Sequence, residues 1–392
     1  MSFNADEVRF LIDHLPDIDA ATRDLALTKK TMISDVAALR ARFGEHGRAV
    51  AELAGARRSA EGKLPGDWLM CHDSAQQATP MQVSEVRAQR LVAALGEGAT
   101  AVDVTCSIGT EGHAVGQVGM GYIGSDLDHA RLLMARYNLG GGVDKHSPHL
   151  LRADALAPAV TGADVIIADP ARRAGGRRIT DPAQLLPPLP DLLTAWEGHA
   201  MAVKCAPGLD FSGWTGLVSL VSVDGGVKEA CLYTPDLADG ETREAVIMRG
   251  TRTDRITDTL DDAPGEQLAR EPGEFIIDPD GAVVRAGLVR HYAVREGLWM
   301  LDERIAYLTG NQIPAGTSGF RFIEQVPLKR LKGALAAHGA GSLEILVRGV
   351  DVDPDQLRKK LGLKGDQAMA VVITRIGSAG VALVCGAREW NG

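Results

Sequence analysis

The 392-residue sequence predicts an α/β protein: an open, largely parallel sheet, preceded by a helical region and followed by an α+β module. Three observations carry this reading. Short apolar strands alternate with amphipathic stretches between about residue 100 and 205, and the first four strands each end in an acid, Asp103, Asp126, Asp154 or Asp169. Residues 1–70 carry apolar residues at helical spacing. Beyond residue 272, EFIIDPDGAVVRAGLV, LEILVRGVDVDPDQLRKKLGLKG and MAVVITRIGSAGVALVCG read as strand, helix and hairpin signals.

Taken in order, Ala20–Phe43 places Leu25, Met32, Val36, Leu39 and Phe43 on one helical face, with charges between them. The run KLPGDWLMCHDSAQQATP breaks that pattern with two prolines and Gly/Asp turns, and a helix is expected over Val83–Leu95. The ten residues from Asp103, DVTCSIGTEG, then join a strand to a helix through small residues. Such a turn leaves free N–H groups at the helix start, where a ligand can lie against main chain. Gly109 and Gly112 allow close approach, and Thr105 and Ser107 add little bulk. Asp126 follows Asp103 by 23 residues at the tip of the second strand, placed to accept both hydroxyls of a ribose. HARLLMARYNLGG reads as a helix closed by glycines, LLRADAL carries Asp154 past the third strand, and ADVIIADPARR runs a fourth strand into Asp169-Pro170.

Across roughly residues 75–250 this order resembles the class I S-adenosylmethionine-dependent methyltransferases. The resemblance implies a Rossmann-like seven-stranded sheet. AMAVKCAPG would supply its fifth strand, and LVSLVSVDG with EACLYTP or REAVIMRG would close it with an antiparallel hairpin. It implies S-adenosyl-L-methionine as cofactor. The loop of Thr105, Ser107, Gly109 and Gly112 would pass under the methionine part, and Asp103 would orient the ammonium. Asp126 would hold the ribose and Asp154 would meet the adenine amine. Gln77 and Thr79, just upstream, would fold over the cofactor, although an ordinary capping turn before the next helix explains them equally. Thr105 and Ser107 stand where the family's common pattern has glycines. A dinucleotide-dependent dehydrogenase would want G-x-G-x-x-G; S-x-G-x-x-G from Ser107 is a partial match, and hydride transfer gives Asp154 and the DPARR corner no role.

DPARR is close to the DPPR-type motif of some RNA methyltransferases. It makes Asp169 the expected catalytic acceptor of a hydrogen bond from an amine or ring nitrogen, with Pro170 fixing the corner. The plainer alternative is a strand-end capping acid. Arg172, Arg173, Arg177 and Arg178 form a basic lip suited to substrate phosphates, or else a solvated, salt-bridged loop. Cys205 ends the fifth strand as K-C-A-P, similar to the S-C-N-P setting of uracil-5 RNA methyltransferases. There a cysteine attacks C6 to activate C5, and Lys204 could lower its pKa. A buried structural cysteine is the competing reading.

The C-terminal region resembles the THUMP-like domain that accompanies some bacterial class I methyltransferases, and THUMP domains proper bind RNA. The expected organisation is a helical region over 1–74, a catalytic domain over 75–250, a turn-rich linker over 250–272 and a THUMP-like substrate-binding domain over 270–392. Net charge of −9 excludes an indiscriminate nucleic-acid binder. Phe320–Arg375 nevertheless holds ten Lys/Arg against six Asp/Glu. Lys329, Arg330, Lys332, Arg358, Lys359, Lys360 and Lys364 are therefore candidate phosphate contacts, or a solvated face. Five scattered cysteines without C-x-x-C fit a reducing compartment, and no His/Cys spacing predicts a metal. No apolar run reaches the roughly 20 residues of a membrane helix, and MSFNADEVRF lacks a secretory pattern, so a cytoplasmic protein is expected. The function expected is methylation of a nucleotide in RNA (tRNA or rRNA). The alternatives are a non-catalytic cofactor-binding RNA scaffold, or transfer to a protein or small molecule.

Overall fold

Short apolar strands separated by helices cannot pair as hairpins, so they cross over and pair in parallel. The computed structural model shows this in its first half. It describes residues 3–140, 148–171, 181–263 and 268–392, with the backbone alone at 173–174 and 177–178. Internal contacts divide the chain into two units. The first is Met1–Gly216 with Cys231–Asp239, and the second is Leu217–Ala230 with Gly240–Gly392.

In the first unit β1 (Thr100–Asp103), β2 (Gly121–Asp126), β3 (His149–Arg152), β4 (Val165–Ala168) and β7 (Ala200–Cys205) pair in parallel, in the order β3-β2-β1-β4-β7. The antiparallel pair β5 (Arg173–Ala174) and β6 (Arg177–Arg178) follows β4. The order reverses between β1 and β4, and ligands of open α/β sheets bind outside the carboxyl ends of the strands at such a switch. Val104 N–H donates to Ile167 O at 2.9 Å, so the two chain segments leave the sheet there side by side.

The helices before β1 are α1 (Ala5–Asp13), α2 (Leu15–Thr22), α3 (Met32–Phe43), α4 (Gly47–Ser59), α5 (His72–Gln77) and α6 (Met81–Leu95). Asn4 starts α1 with a full capping box, its side chain accepting from Asp6 and Glu7 N–H. The helical spacing expected across Ala20–Phe43 is interrupted. The helix stops at Thr22 and resumes at Met32, because Thr28 and Thr31 bond each other's backbone and hydroxyl groups, and Asp35 accepts from Leu27 N–H at 2.8 Å. Leu25 still packs on the apolar cluster, which gathers Val8, Leu11, Ile18, Leu53, Trp68 and Met70 with Ile108 and Met134. Asn138 joins the two groups. Its amide accepts from Leu69 N–H at 2.7 Å and donates to Leu69 O and Ile108 O, both at 3.0 Å.

The helices α7 (Thr110–Gln117), α8 (His129–Asn138) and α9 (Leu189–Ala195) follow β1, β2 and the DPARR corner. Both alternatives for the closing strand form. β8 (Leu217–Val223) turns through Asp224 and Gly225, both at positive φ, into β9 (Gly226–Tyr233), and β10 (Arg243–Arg249) pairs with β8 in parallel. The strand β9 spans the division: its order in the first unit is β3-β2-β1-β4-β7-β9, and in the second β9-β8-β10-β11. The residues read as a linker hold β11 (Arg252–Thr257), folded back on β10 by the tight turn Gly250–Thr251.

The second unit also holds a seven-stranded sheet ordered β13-β14-β12-β15-β18-β17-β16. Its strands are β12 (Phe275–Ile277), β13 (Trp299–Asp302), β14 (Ile305–Gly310), β15 (Thr317–Pro327), β16 (Ala340–Val347), β17 (Gln367–Ile376) and β18 (Ala379–Asn391). Helices α10 (Gly281–Ala286), α11 (Val289–Glu296), α12 (Leu331–Ala337) and α13 (Pro354–Leu361) accompany it. Only a crossover can join parallel neighbours, and α13 supplies it between β16 and β17. Among the described residues no helix is long and apolar enough to cross a membrane.

Candidate functional site

The turn after β1 is built by its own polar atoms. Asp103 Oδ1 accepts from Thr105 N–H at 3.0 Å, and Asp126 Oδ2 accepts from Ser107 N–H at 3.0 Å. Ser107 sits at φ 47° and Gly109 at φ 91°, left-handed conformations that start α7 directly after the turn. A Cβ at Gly112 would lie 2.5 Å from the Tyr122 ring, so this glycine lets α7 pack on β2. The strand ends are tied together: Asp169 N–H donates to Thr105 Oγ1 at 2.6 Å. Asp103, Thr105, Ser107, Asp126 and Asp169 therefore share one hydrogen-bonded corner at the carboxyl ends of β1, β2 and β4.

Asp103 lies beneath this corner rather than on its surface. It is 2% exposed, and its Oδ2 accepts from the Tyr122 hydroxyl at 3.0 Å. Burial, reinforced by the charge of Glu111, pushes its pKa up to about 7 against the opposing Thr105 N–H, Tyr122 hydroxyl and Lys204. The same burial holds the Tyr122 hydroxyl and the Cys106 thiol well above their ordinary values. Asp126 is half-buried, with Oδ1 accepting from Asp128 N–H at 2.9 Å. Each of its oxygens keeps a lone pair for a further donor. Asp154 is exposed just beyond β3, where Oδ1 accepts from Leu156 N–H at 2.9 Å. Gln77 is the last residue of α5, and its side chain accepts from Arg131 at 3.5 Å; Thr79 is buried.

A chain of buried charges, not anticipated from sequence, supports the corner. Lys204 Nζ is 2.5 Å from Asp169 Oδ2 and 3.7 Å from Glu111 Oε1. Glu111 receives a bidentate contact from Arg87, Nε at 2.9 Å and Nη2 at 3.1 Å. The side chains of Arg87, Glu111 and Lys204 are at most 6% exposed, while that of Asp169 is 25% exposed. Burial alone would raise the Glu111 pKa, but the charges of Arg87 and Lys204 outweigh it and hold the carboxyl below its ordinary value. The signal in the sequence was a lysine inside an otherwise apolar strand, AMAVKC.

Lys204 thus serves Asp169, and strand alternation puts the fully buried Cys205 on the opposite face of β7. Of the two readings of Cys205, the buried cysteine describes its surroundings, while the Lys204 ammonium lies against Asp169 and Glu111. Arg172 lies outside the described residues. Arg173, Arg177 and Arg178 are described only as backbone, in the β5–β6 pair that places Arg173 opposite Arg178. Lys329, Arg330, Lys332, Arg358, Lys359, Lys360 and Lys364 are all exposed in the second unit, and Arg358 pairs with Asp355 at 2.9 Å.

The donor set fits an adenosyl sulfonium. The rim offers a small-residue turn with helix N–H groups beyond it and two partly or fully exposed carboxylates, Asp126 and Asp154. These match an amino acid moiety, a ribose diol and an adenine amine.

Comparison with known proteins agrees. A model of the THUMP domain-like family matches residues 317–387. The fold is shared with a crystal structure from Porphyromonas gingivalis described as a methyltransferase. Its TM-score is 0.70 at 17% identity, over 98% of this chain and 99% of that one. Two curated relatives, from two strains of Mycobacterium tuberculosis, are each called an uncharacterised S-adenosylmethionine-dependent methyltransferase. Each is 44% identical over 363 residues, covering 88% of this chain and 98% of the relative. Similarity of that extent, on a chain whose strand-tip acids and glycine turn meet at the switch point, makes this chain a member of the S-adenosylmethionine-dependent methyltransferases.

Proposed function

We propose that the protein methylates a nucleotide in RNA, of the tRNA or rRNA class, at an atom presented to Asp169. The observation that carries the reading is the acid at the end of β4, held by a buried lysine and half-open to solvent. The THUMP-like match and the exposed basic residues of 320–375 supply the reason for choosing RNA. Asp126 would bind the ribose, Asp154 the adenine amine, and the 105–112 turn with Asp103 beneath it the amino acid end. Arg172, Arg173, Arg177 and Arg178 would meet substrate phosphates.

S-adenosylmethionine supplies a methyl group already activated by its sulfonium, so the protein's contribution is alignment and electrostatics. Lys204 occupies Oδ2 of Asp169, and among the described residues Oδ1 has no hydrogen-bond partner. That oxygen can accept from an acceptor N–H, fix the nitrogen's lone pair toward the methyl, and take the proton released as the N–C bond forms. Pro170 restrains the backbone that aims it. Cys205, buried on the other face of β7, gives no support to carbon methylation through a cysteine adduct.

A nucleoside mass profile of RNA from cells with the gene intact, deleted, or carrying Asp169→Ala tests the proposal. One methylated nucleoside should vanish on deletion and stay absent in the variant. Identical profiles in all three would refute RNA as the acceptor, and a mark that persists in the variant would refute the role of Asp169.

A further inference from the structure

The second unit contains a cavity of 470 Å³ that no step of methyl transfer uses. It is lined by the β10–β11 turn, the segment Asp278–Gly281, the segment Ala315–Ser318 and the end of β18. Cross-strand pairing sets Arg249 directly opposite Arg252, and both line the cavity. Like charges in that position repel unless anions neutralise them. Arg249 is neutralised: its Nη2 lies 3.2 Å from Asp280 Oδ2 and its Nη1 donates to Gly316 O at 2.9 Å. Arg252 is exposed and lies over Gly316, where an added Cβ would come within 2.3 Å of its Nη1. Among the described residues it makes no ion pair.

Of the other charges in the lining, Asp224 makes no ion pair among the described residues and accepts from Gly250 N–H at 3.3 Å. Asp254 pairs with Arg295 at 2.6 Å, and Arg388 pairs with Glu344 and donates to Ser318 Oγ at 2.6 Å. Asp278 has Arg348 Nη1 3.1 Å away. Burial raises its pKa from the ordinary carboxyl value despite the Arg348 guanidinium beside it.

On β18, two residues past Arg388 and therefore on the same face, Trp390 is 65% exposed. An indole left in water at the edge of a cavity, beside an unneutralised guanidinium and the half-buried Asp278 carboxyl, combines a stacking face, a phosphate contact and a polar edge. Single-stranded nucleotides are bound by such a set.

We propose that this cavity binds one nucleotide, its base stacked on Trp390 and its phosphate on Arg252. The proposal stands apart from the methyl-transfer reading, since it needs neither the cofactor nor Asp169. A free mononucleotide and one residue of an RNA strand present the same chemistry, and the test separates them.

Full-length protein saturated with S-adenosylhomocysteine, so that the cofactor site is closed to competitors, is titrated with uridine 5′-monophosphate, uridine and a short oligouridylate. Photo-crosslinked peptides are then mapped by mass spectrometry. Uridine 5′-monophosphate should bind and crosslink within the peptide that carries Trp390. Trp390→Ala and Arg252→Gln should each weaken it about tenfold, and uridine should lose the contribution of Arg252. Both side chains are exposed, and an unchanged melting temperature verifies that the variants fold. Tighter binding of the oligouridylate, abolished in the same variants, identifies an RNA strand as the source; equal affinity identifies the free nucleotide. Failure of all three probes to bind, or affinities unchanged in both variants, would overturn the proposal.

Discussion

Asp103 is the residue whose environment departs furthest from what a strand-tip acid suggests. Its carboxyl is enclosed by the Thr105 N–H and the Tyr122 hydroxyl, and burial brings its pKa to about 7. An acid whose folded pKa is raised stabilises the fold below its unfolded pKa and loses that contribution as pH climbs through the folded value. Stability should therefore fall between about pH 4 and pH 7, by up to about 4 kcal/mol from this group. Comparing urea midpoints of the parent and Asp103→Asn at pH 5 and pH 8, without cofactor, isolates it. The parent should lose stability relative to the variant at the higher pH, and a pH-independent difference would contradict the assignment. Asp126 behaves differently, being half-buried with lone pairs to spare. Asp126→Ala should weaken S-adenosylmethionine binding by about 1–3 kcal/mol, a lost charge-assisted contact, as read by calorimetry.

Between elements, the governing feature is the line of alternating charges from Arg87 on α6 through Glu111 on α7 and Lys204 on β7 to Asp169 after β4. It pins two helices and two strand ends to one corner. Removing this buried carboxylate takes from Arg87 its bidentate partner and leaves Lys204 paired with Asp169. Glu111→Gln should therefore cost about 3–5 kcal/mol of stability, measured by urea unfolding. Unlike Asp103, Glu111 has a depressed pKa, so its contribution is present above pH 4.5 and is lost as pH falls below it. The strand-tip acids and the small-residue turn were readable because each depends on local sequence. The charge line was not, because its members are 24 residues apart at Arg87 and Glu111, and 93 apart at Glu111 and Lys204. The interruption between Thr22 and Met32 was likewise hidden. Apolar spacing continues through it, while the threonine and Asp35 bonds that break the helix are decided by local polar competition.

At the scale of the whole molecule, an acidic chain carries exposed basic residues in its second unit, many of them between Lys329 and Lys364. If these meet phosphates, RNA affinity should fall steeply with salt. Replacing Lys359 and Lys360 by alanine should then reduce the slope of log K against log salt by about 1.4, two contacts at about 0.7 each. An unchanged slope would mark that face as merely solvated.

The parallel strands β1 to β4 and β7, the glycine turn and the acids at the strand tips followed from sequence alone, because apolar periodicity and turn chemistry act over a few residues. Which acid is sealed and which keeps an open edge, which carboxylates Lys204 meets, and which arginine of the second unit's cavity lacks an ion pair among the described residues were settled only by folding. Each depends on the distance between groups far apart in the chain, and burial converts that distance into charge state.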